Sequence, residues 1–219
     1  MLVFSLVAHE YAHGIAALRQ GDDTAYMLGR LTLNPLPHID PWMSVLLPAL
    51  LWFGSKGMFT FGGAKPVPVN PRKYRNYRRG DIIVSAAGVV TNMLLAIACA
   101  LVFVALGFAA SAAPGLAPVA DTAQRMMVLG IQINLLLAFF NLIPIPPLDG
   151  SHLFYHLLPA KLGARYRSLQ RFGFLPLLVL LLFAQPVLGW LLAPANYGFG
   201  YLLYLVRPYA VGNGWNIFQ

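Results

Sequence analysis

The residues best suited to chemistry lie near the start of the sequence, in the run His9-Glu10-Tyr11-Ala12-His13. Four residues of an α-helix turn through about 400°, so His9 and His13 share one face and their imidazoles can bind one metal ion. Glu10 can then act as a general base toward a water molecule at that metal. It is the only glutamate of the chain, and it lies in an apolar stretch. A carboxylate there costs about 2.5–3.5 kcal/mol on membrane-insertion scales, so the pattern predicts a hydrolytic metal site.

Two histidines do not complete a catalytic zinc site, which has three protein ligands and an open position. Two aspartates are candidates for the third ligand: Asp40, which lies close to His38 in the sequence, and Asp149. The prolines among residues 144–147 cannot continue a helix. Non-helical backbone at membrane depth occurs where protein or a water-filled cavity satisfies it. Because Asp149 directly follows such a break, it is favoured, and Asp40 remains the alternative.

The composition indicates which elements must position these residues. Hydrophobic residues make up 58% of the 219 residues and charged residues only 10%, whereas soluble domains carry about 25% charged residues. A disordered chain and an ordinary soluble enzyme are thereby excluded, and a multi-spanning membrane protein is expected. The single cysteine, Cys99, excludes an internal disulfide and a thiolate-rich zinc site.

The apolar runs predict an all-α polytopic membrane protein with four spans. The predicted spans are Met1–Arg19, Ile82–Ala110, Arg125–Ile143 and Gly173–Ala193. Residues 41–54 are apolar but too short to cross, so a re-entrant or short segment is expected there. Residues 24–33 predict a small cytoplasmic β-hairpin with Gly29 near its turn, whose edge could pair with an unwound substrate.

The basic residues predict the orientation of the chain. Residues 20–81 carry eight Lys and Arg and residues 149–171 carry four, whereas residues 111–124 carry none. Such clusters mark the cytoplasmic side and attract anionic lipid headgroups. The net charge of +8 therefore indicates a lipid bilayer as partner and no nucleic acid. We expect a multi-pass protein of the cell (inner or plasma) membrane, with its active site open toward the cytoplasm.

Several motifs in order resemble the site-2 protease family of intramembrane zinc metalloproteases. They are HEYAHG, GDDTAYMLGRLTLNPLPHIDP, GGAKPVPVN, AAGVVTN and FNLIPIPPLDGSH. The resemblance covers about residues 1–155 and is closest to short bacterial members that lack a PDZ or CBS domain. It departs from the family in having only eight residues before His9, where members usually have a longer apolar stretch, and in Val89, where the family often has proline.

The resemblance implies one zinc ion per chain, held by His9, His13 and Asp149, with Glu10 activating water. It implies cleavage of peptide bonds in or near transmembrane segments of membrane proteins, in the manner of regulated intramembrane proteolysis.

The resemblance also implies that Asn92 and Asn141 hold substrate or the oxyanion.

We expect one catalytic domain over residues 1–219, with a core at 1–155 and C-terminal helices at 156–219. The rival hypothesis is a non-proteolytic membrane protein with a structural or transport metal site. The unligated carboxylate of Glu10 argues against it, because a structural site has no use for a base.

Overall fold

The computed structural model describes residues 1–54, 56–57 and 62–212, and this part of the chain is mostly helical. A π-helical turn, Pro41–Leu46, precedes α3, and short 3₁₀ turns connect other elements. The α-helices are α1 (Leu2–Gln20), α2 (Thr24–Met27), α3 (Leu47–Gly54), α4 (Tyr77–Ala112), α5 (Ala117–Asn141), α6 (Asp149–Tyr155), α7 (Ala160–Arg167), α8 (Leu175–Phe183) and α9 (Gln185–Val206).

Two of the described helical segments are long and apolar enough to cross a membrane. They are α4 and the segment Pro114–Asn141, which contains α5. Both had been predicted as spans from the apolar runs beginning at Ile82 and Arg125. A bent pair, Ala160–Phe172 with Leu175–Phe183, adds a third span if the two halves are counted together, although they meet at 82°.

The predicted count of four spans is therefore too high for the described residues. α1 has 19 residues, but its two histidines, Glu10 and Arg19 lower its average hydropathy. The predicted span Gly173–Ala193 is divided at Ala184, whose φ of −122° and ψ of 40° are not helical. Pro186 follows at the start of α9, where proline is tolerated because its missing N–H has no helical partner.

Residue contacts divide the chain into two compact units, residues 3–88 and residues 1–2 with 89–219. In the first unit, Ala16 and Ala17 of α1 pack with Tyr74 and Val84 in a small buried cluster. The backbone N–H of Arg75 donates to the carbonyl of Gln20 at 2.8 Å, which ties the end of α1 to the approach to α4.

The predicted β-hairpin at residues 24–33 is wrong. The chain forms the short helix α2 instead, and the described residues contain no strand. The reason is the buried carboxylate of Asp22, whose Oδ1 accepts the N–H of Thr24 at 3.0 Å. An aspartate that accepts the N–H two residues later forms an Asx-turn, which favours a turn over an extended strand. Gly29, with φ of +63°, then ends the turn.

An ion pair on the surface accompanies this turn. Lys73 Nζ donates to Asp23 Oδ1 at 2.6 Å, and both side chains are exposed. The hydrogen bond and the charge of Lys73 lower the pKa of Asp23 below its usual value.

The second unit is built around α5 and α9. Its buried cluster includes Phe103 of α4, Ile131 and Leu135 of α5, and Leu203 and Val206 of α9. Gln124 adds a polar tie that the sequence analysis did not single out. Its Nε2 donates to the carbonyls of Phe103 and Tyr209, at 3.0 and 2.9 Å, and its Oε1 accepts the N–H of Val211.

Candidate active site

The two histidines of the HEYAHG motif lie next to each other on the buried face of α1. Both are buried, with exposed fractions of 4% for His9 and 9% for His13. Their Nε2 atoms lie 3.0 Å apart, and the rings meet edge-on at 82°. Two nitrogens on one tetrahedral zinc ion, each at about 2.0–2.1 Å, are about 3.3 Å apart. The observed separation is close to that value, so the pair fits a zinc ion with little movement.

A backbone carbonyl sets the tautomer of His13. The Nδ1 atom of His13 lies 2.7 Å from the carbonyl oxygen of Val84 in α4. A carbonyl only accepts, so Nδ1 carries the proton and Nε2 keeps its lone pair for a metal. Zinc-ligating histidines usually donate their second N–H in this way. The sequence did not predict the role of Val84, because every residue type has a main-chain carbonyl.

Gly88 of α4 leaves the space that the histidine pair occupies. A Cβ atom added there would lie 2.6 Å from the Nε2 atoms of both His9 and His13. Real Cβ contacts essentially never fall below 3.0 Å, so any larger residue would displace the imidazoles. The glycine of the AAGVVTN motif thus has a steric role at the Nε2 atoms of the histidines.

The side chain of Glu10 is bound by a backbone N–H that lies outside α1. Its Oε2 accepts the backbone N–H of Val67 at 2.8 Å, and its side chain is partly buried. Val67 belongs to the GGAKPVPVN motif. This contact fixes one carboxylate oxygen of the residue that follows His9 and leaves Oε1 outside the hydrogen bond.

Asp149 occupies the first position of α6. Its neighbour Gly150 approaches the carbonyls of Leu142 and Ile143 so closely that a Cβ would collide with them. The glycine of the LDG motif therefore lets α6 begin directly against the end of α5. The carboxylate oxygen Oδ2 of Asp149 is buried.

His9 and His13 belong to the unit of residues 3–88, whereas Asp149 belongs to the unit that contains residues 89–219. Asp149 as the third zinc ligand therefore stays a prediction. Asp40, the alternative third ligand, lies in the same unit as the histidines, where its Oδ1 accepts the N–H of Trp42 at 2.9 Å.

The two asparagines with expected substrate roles make hydrogen bonds within the protein. Asn92 is fully buried, and its Nδ2 donates to Asn134 Oδ1 at 3.0 Å. Asn134 in turn donates to the carbonyl of Gly130 at 2.8 Å. Asn141 donates to the carbonyl of Leu137, one turn earlier in α5. Asn134 thus links α4 and α5, and the substrate roles of Asn92 and Asn141 stay predictions.

Comparisons with known proteins agree with the motifs. Residues 1–183 match the sequence model of peptidase family M50. The protein YwhC from Bacillus subtilis (strain 168) is 37% identical over 193 residues, which cover 88% of this chain and 82% of that protein.

Relatives from two mycobacterial species carry the name Rip2. The one from Mycolicibacterium smegmatis (strain ATCC 700084 / mc(2)155) is 35% identical over 185 residues, covering 82% of this chain and 64% of the relative. The one from Mycobacterium tuberculosis (strain ATCC 25618 / H37Rv) is 34% identical over 196 residues, covering 85% and 66%. No solved structure matches. The match over residues 1–183 shows that this chain belongs to peptidase family M50, the site-2 protease family of zinc metalloproteases.

Proposed function

We propose that this protein hydrolyses peptide bonds in or near transmembrane segments with one zinc ion, held by His9, His13 and Asp149, and with Glu10 as the general base. The observation that carries the proposal is the pair of buried Nε2 atoms 3.0 Å apart with the adjacent carboxylate of Glu10. Membership of family M50 supports the same reaction.

The donor set suits zinc. Two imidazole nitrogens and one carboxylate oxygen are typical of catalytic zinc, and they leave a fourth position open. When bound, zinc acts as a Lewis acid toward a carbonyl oxygen and lowers the pKa of a water molecule to about 7. The hydrogen bond from His13 Nδ1 to the carbonyl of Val84 orients one ligand in advance.

The protein's own part in the reaction is proton transfer. Glu10 accepts a proton from the attacking water while the water oxygen bonds to the scissile carbonyl carbon. Glu10 then gives that proton to the leaving nitrogen as the C–N bond breaks. One residue can serve both steps because its Oε2 stays on the N–H of Val67 while Oε1 takes and returns the proton.

The substrate is a membrane protein or peptide within the lipid bilayer. The orientation is proposed from the two candidate spans. The cluster of Lys and Arg in residues 65–79 extends from before α4 into its first turn, and a second cluster in residues 161–171 follows α5. Residues 113–116 between the two helices have no basic residue. If each helix crosses once, both clusters lie on one side, which the positive-inside rule makes cytoplasmic. We propose that the active site opens toward that side and that residues 1–219 act as one catalytic domain.

Substitution of Glu10 by glutamine tests the proposal. The amide keeps the size of the side chain and an oxygen for the N–H of Val67, but it cannot take up a proton. We expect cleavage of a model transmembrane substrate in proteoliposomes to fall by about 10²–10⁴-fold, with zinc content unchanged.

Asp23→Asn is the matched control, because it makes the same carboxylate-to-amide change at an exposed ion pair. Wild-type turnover by Glu10→Gln would rule out Glu10 as the base. A protein that binds zinc but cleaves nothing in its wild-type form would support the rival structural or transport role.

A further inference from the structure

The segment of residues 62–70, here called the strap, is fixed to its surroundings along its length. It has no regular secondary structure, yet five of its residues make hydrogen bonds through the main chain. The bonds are Ser44 Oγ to the Gly63 carbonyl (2.7 Å), Lys65 N–H to the His38 carbonyl (2.7 Å), Arg30 Nη2 to the carbonyls of Lys65 (3.2 Å) and Pro66 (3.4 Å), Val67 N–H to Glu10 (2.8 Å) and Asn70 N–H to Asp22 (2.6 Å).

Val67 is the point at which the strap meets the catalytic residues. It lies between Pro66 and Pro68, which have no N–H, so it supplies the single donor of this tripeptide. Its side chain is 5% exposed. The anchors on both sides, at Lys65 and Asn70, hold that donor in place. A single main-chain N–H in a rigid setting is well suited to orient a carboxylate.

We propose that the backbone N–H of Val67 is a positioning group for the general base, holding Glu10 Oε2 so that Oε1 faces the water and the scissile carbonyl. The inference rests on the proposed role of Glu10. A glutamate side chain has three rotatable bonds, and without a partner its carboxylate samples many orientations beside the metal ligands. Misplacement of a catalytic group by about 1 Å can cost about 100-fold in rate.

An inhibitory role for the hydrogen bond between Val67 and Glu10 would predict the opposite change in the turnover number. If the bond to Val67 kept Glu10 away from water in a resting state, its removal would raise the turnover number. A purely structural strap would change stability and zinc content together, with no selective effect on turnover.

The test is Val67→Pro, which deletes the one N–H and adds a third consecutive proline where the backbone is already restricted by Pro68. The matched control is Val69→Pro. Val69 also follows a proline, and its N–H has no hydrogen-bond partner among the described residues. Val67→Ala keeps the N–H and measures the share of any loss that comes from the side chain.

We expect kcat of Val67→Pro to fall about 10- to 100-fold, with KM and zinc content near those of the wild type. Val69→Pro should stay within about threefold of the wild type, and Val67→Ala should retain at least about tenfold more activity than Val67→Pro. Equal kcat values for the two proline variants, or a rise in kcat for Val67→Pro, would overturn the inference.

Two further variants keep the outcome interpretable. If Val67→Pro does not accumulate in the membrane, Arg30→Gln removes the anchors at Lys65 and Pro66, and it should lower kcat in the same direction. Unchanged kcat in Arg30→Gln would then refute the positioning role. Glu10→Gln is measured beside them: an active Glu10→Gln defeats the proposed function itself, whereas an inactive one with an unaffected Val67→Pro defeats only this inference.

Discussion

Replacement of Gly88 by alanine is expected to weaken zinc binding strongly. The added Cβ would lie 2.6 Å from the Nε2 atoms of His9 and His13, against a practical minimum of 3.0 Å. The imidazoles must therefore retreat by at least about 0.4 Å, which is twice the tolerance of about 0.2 Å that zinc ligand distances allow. Gly88 lies inside α4, so backbone adjustment there is limited.

The expected loss of zinc affinity is worked out by comparison with substitutions that leave the ligand atoms in place. Loss of a hydrogen bond to a zinc ligand typically costs 10- to 100-fold in affinity. Displacement of two ligand nitrogens is more severe, so we expect zinc affinity to fall by at least about 100-fold, or about 2.8 kcal/mol. Helix propensity acts in the other direction, because alanine in a helix interior is favoured over glycine by about 0.5–1 kcal/mol.

The assay is zinc content after dialysis against chelators of graded strength, with the melting temperature of the metal-free protein recorded in parallel. Gly200→Ala is the control, since Gly200 lies in α9 and a Cβ there has nothing within 4 Å. That variant should keep its zinc. A Gly88→Ala protein that retains zinc as well as Gly200→Ala does would show that the histidines can move without cost, and the steric reasoning would be wrong.

Two further predictions concern Asp149 and Asn134. Asp149→Ala should lose zinc and cleavage together, whereas Asp40→Ala should keep its zinc, and elemental analysis of the purified variants decides between the two aspartates. Asn134→Ala removes an acceptor of the Asn92 amide and should lower the free energy of unfolding by about 0.6 kcal/mol and by at most about 1.7 kcal/mol, the average and the maximum for hydrogen bonds between membrane helices. A thermal melt in detergent measures the loss, and an unchanged melting temperature would contradict it.

The sequence predicted the elements whose signal is carried by residue type and spacing. The histidine pair of α1 was expected from its helical spacing, and its Nε2 atoms lie 3.0 Å apart. The spans of α4 and α5 were expected from long apolar runs. These predictions succeeded because helical periodicity and hydropathy are local properties of the chain.

The remainder depended on contacts between distant residues. The apolar alternation of residues 30–33 suggested a hairpin, but Asp22 accepts the N–H of Thr24, and residues 24–27 form a short helix instead. The main-chain partners of His13 and Glu10, which are Val84 and Val67, have no side-chain signature. The predicted span Gly173–Ala193 contains Pro176, Gln185 and Pro186 as interruptions, and the helix break at Ala184 lies next to two of them.

The two prolines of the strap, together with Pro71 directly after it, also affect the conformational entropy that the chain loses on folding. Pro66, Pro68 and Pro71 each have a fixed φ, and each restricts the residue before it to extended conformations. Six of the seven residues from Lys65 to Pro71 are thus already limited in the unfolded chain. Fixing an ordinary residue costs about 1–2 kcal/mol of backbone entropy, and proline lowers that cost by reducing the freedom of the unfolded state. The segment that reaches Glu10 therefore loses less backbone freedom on folding than an ordinary loop, and substitution of these prolines by alanine would loosen it without removing any of its hydrogen bonds.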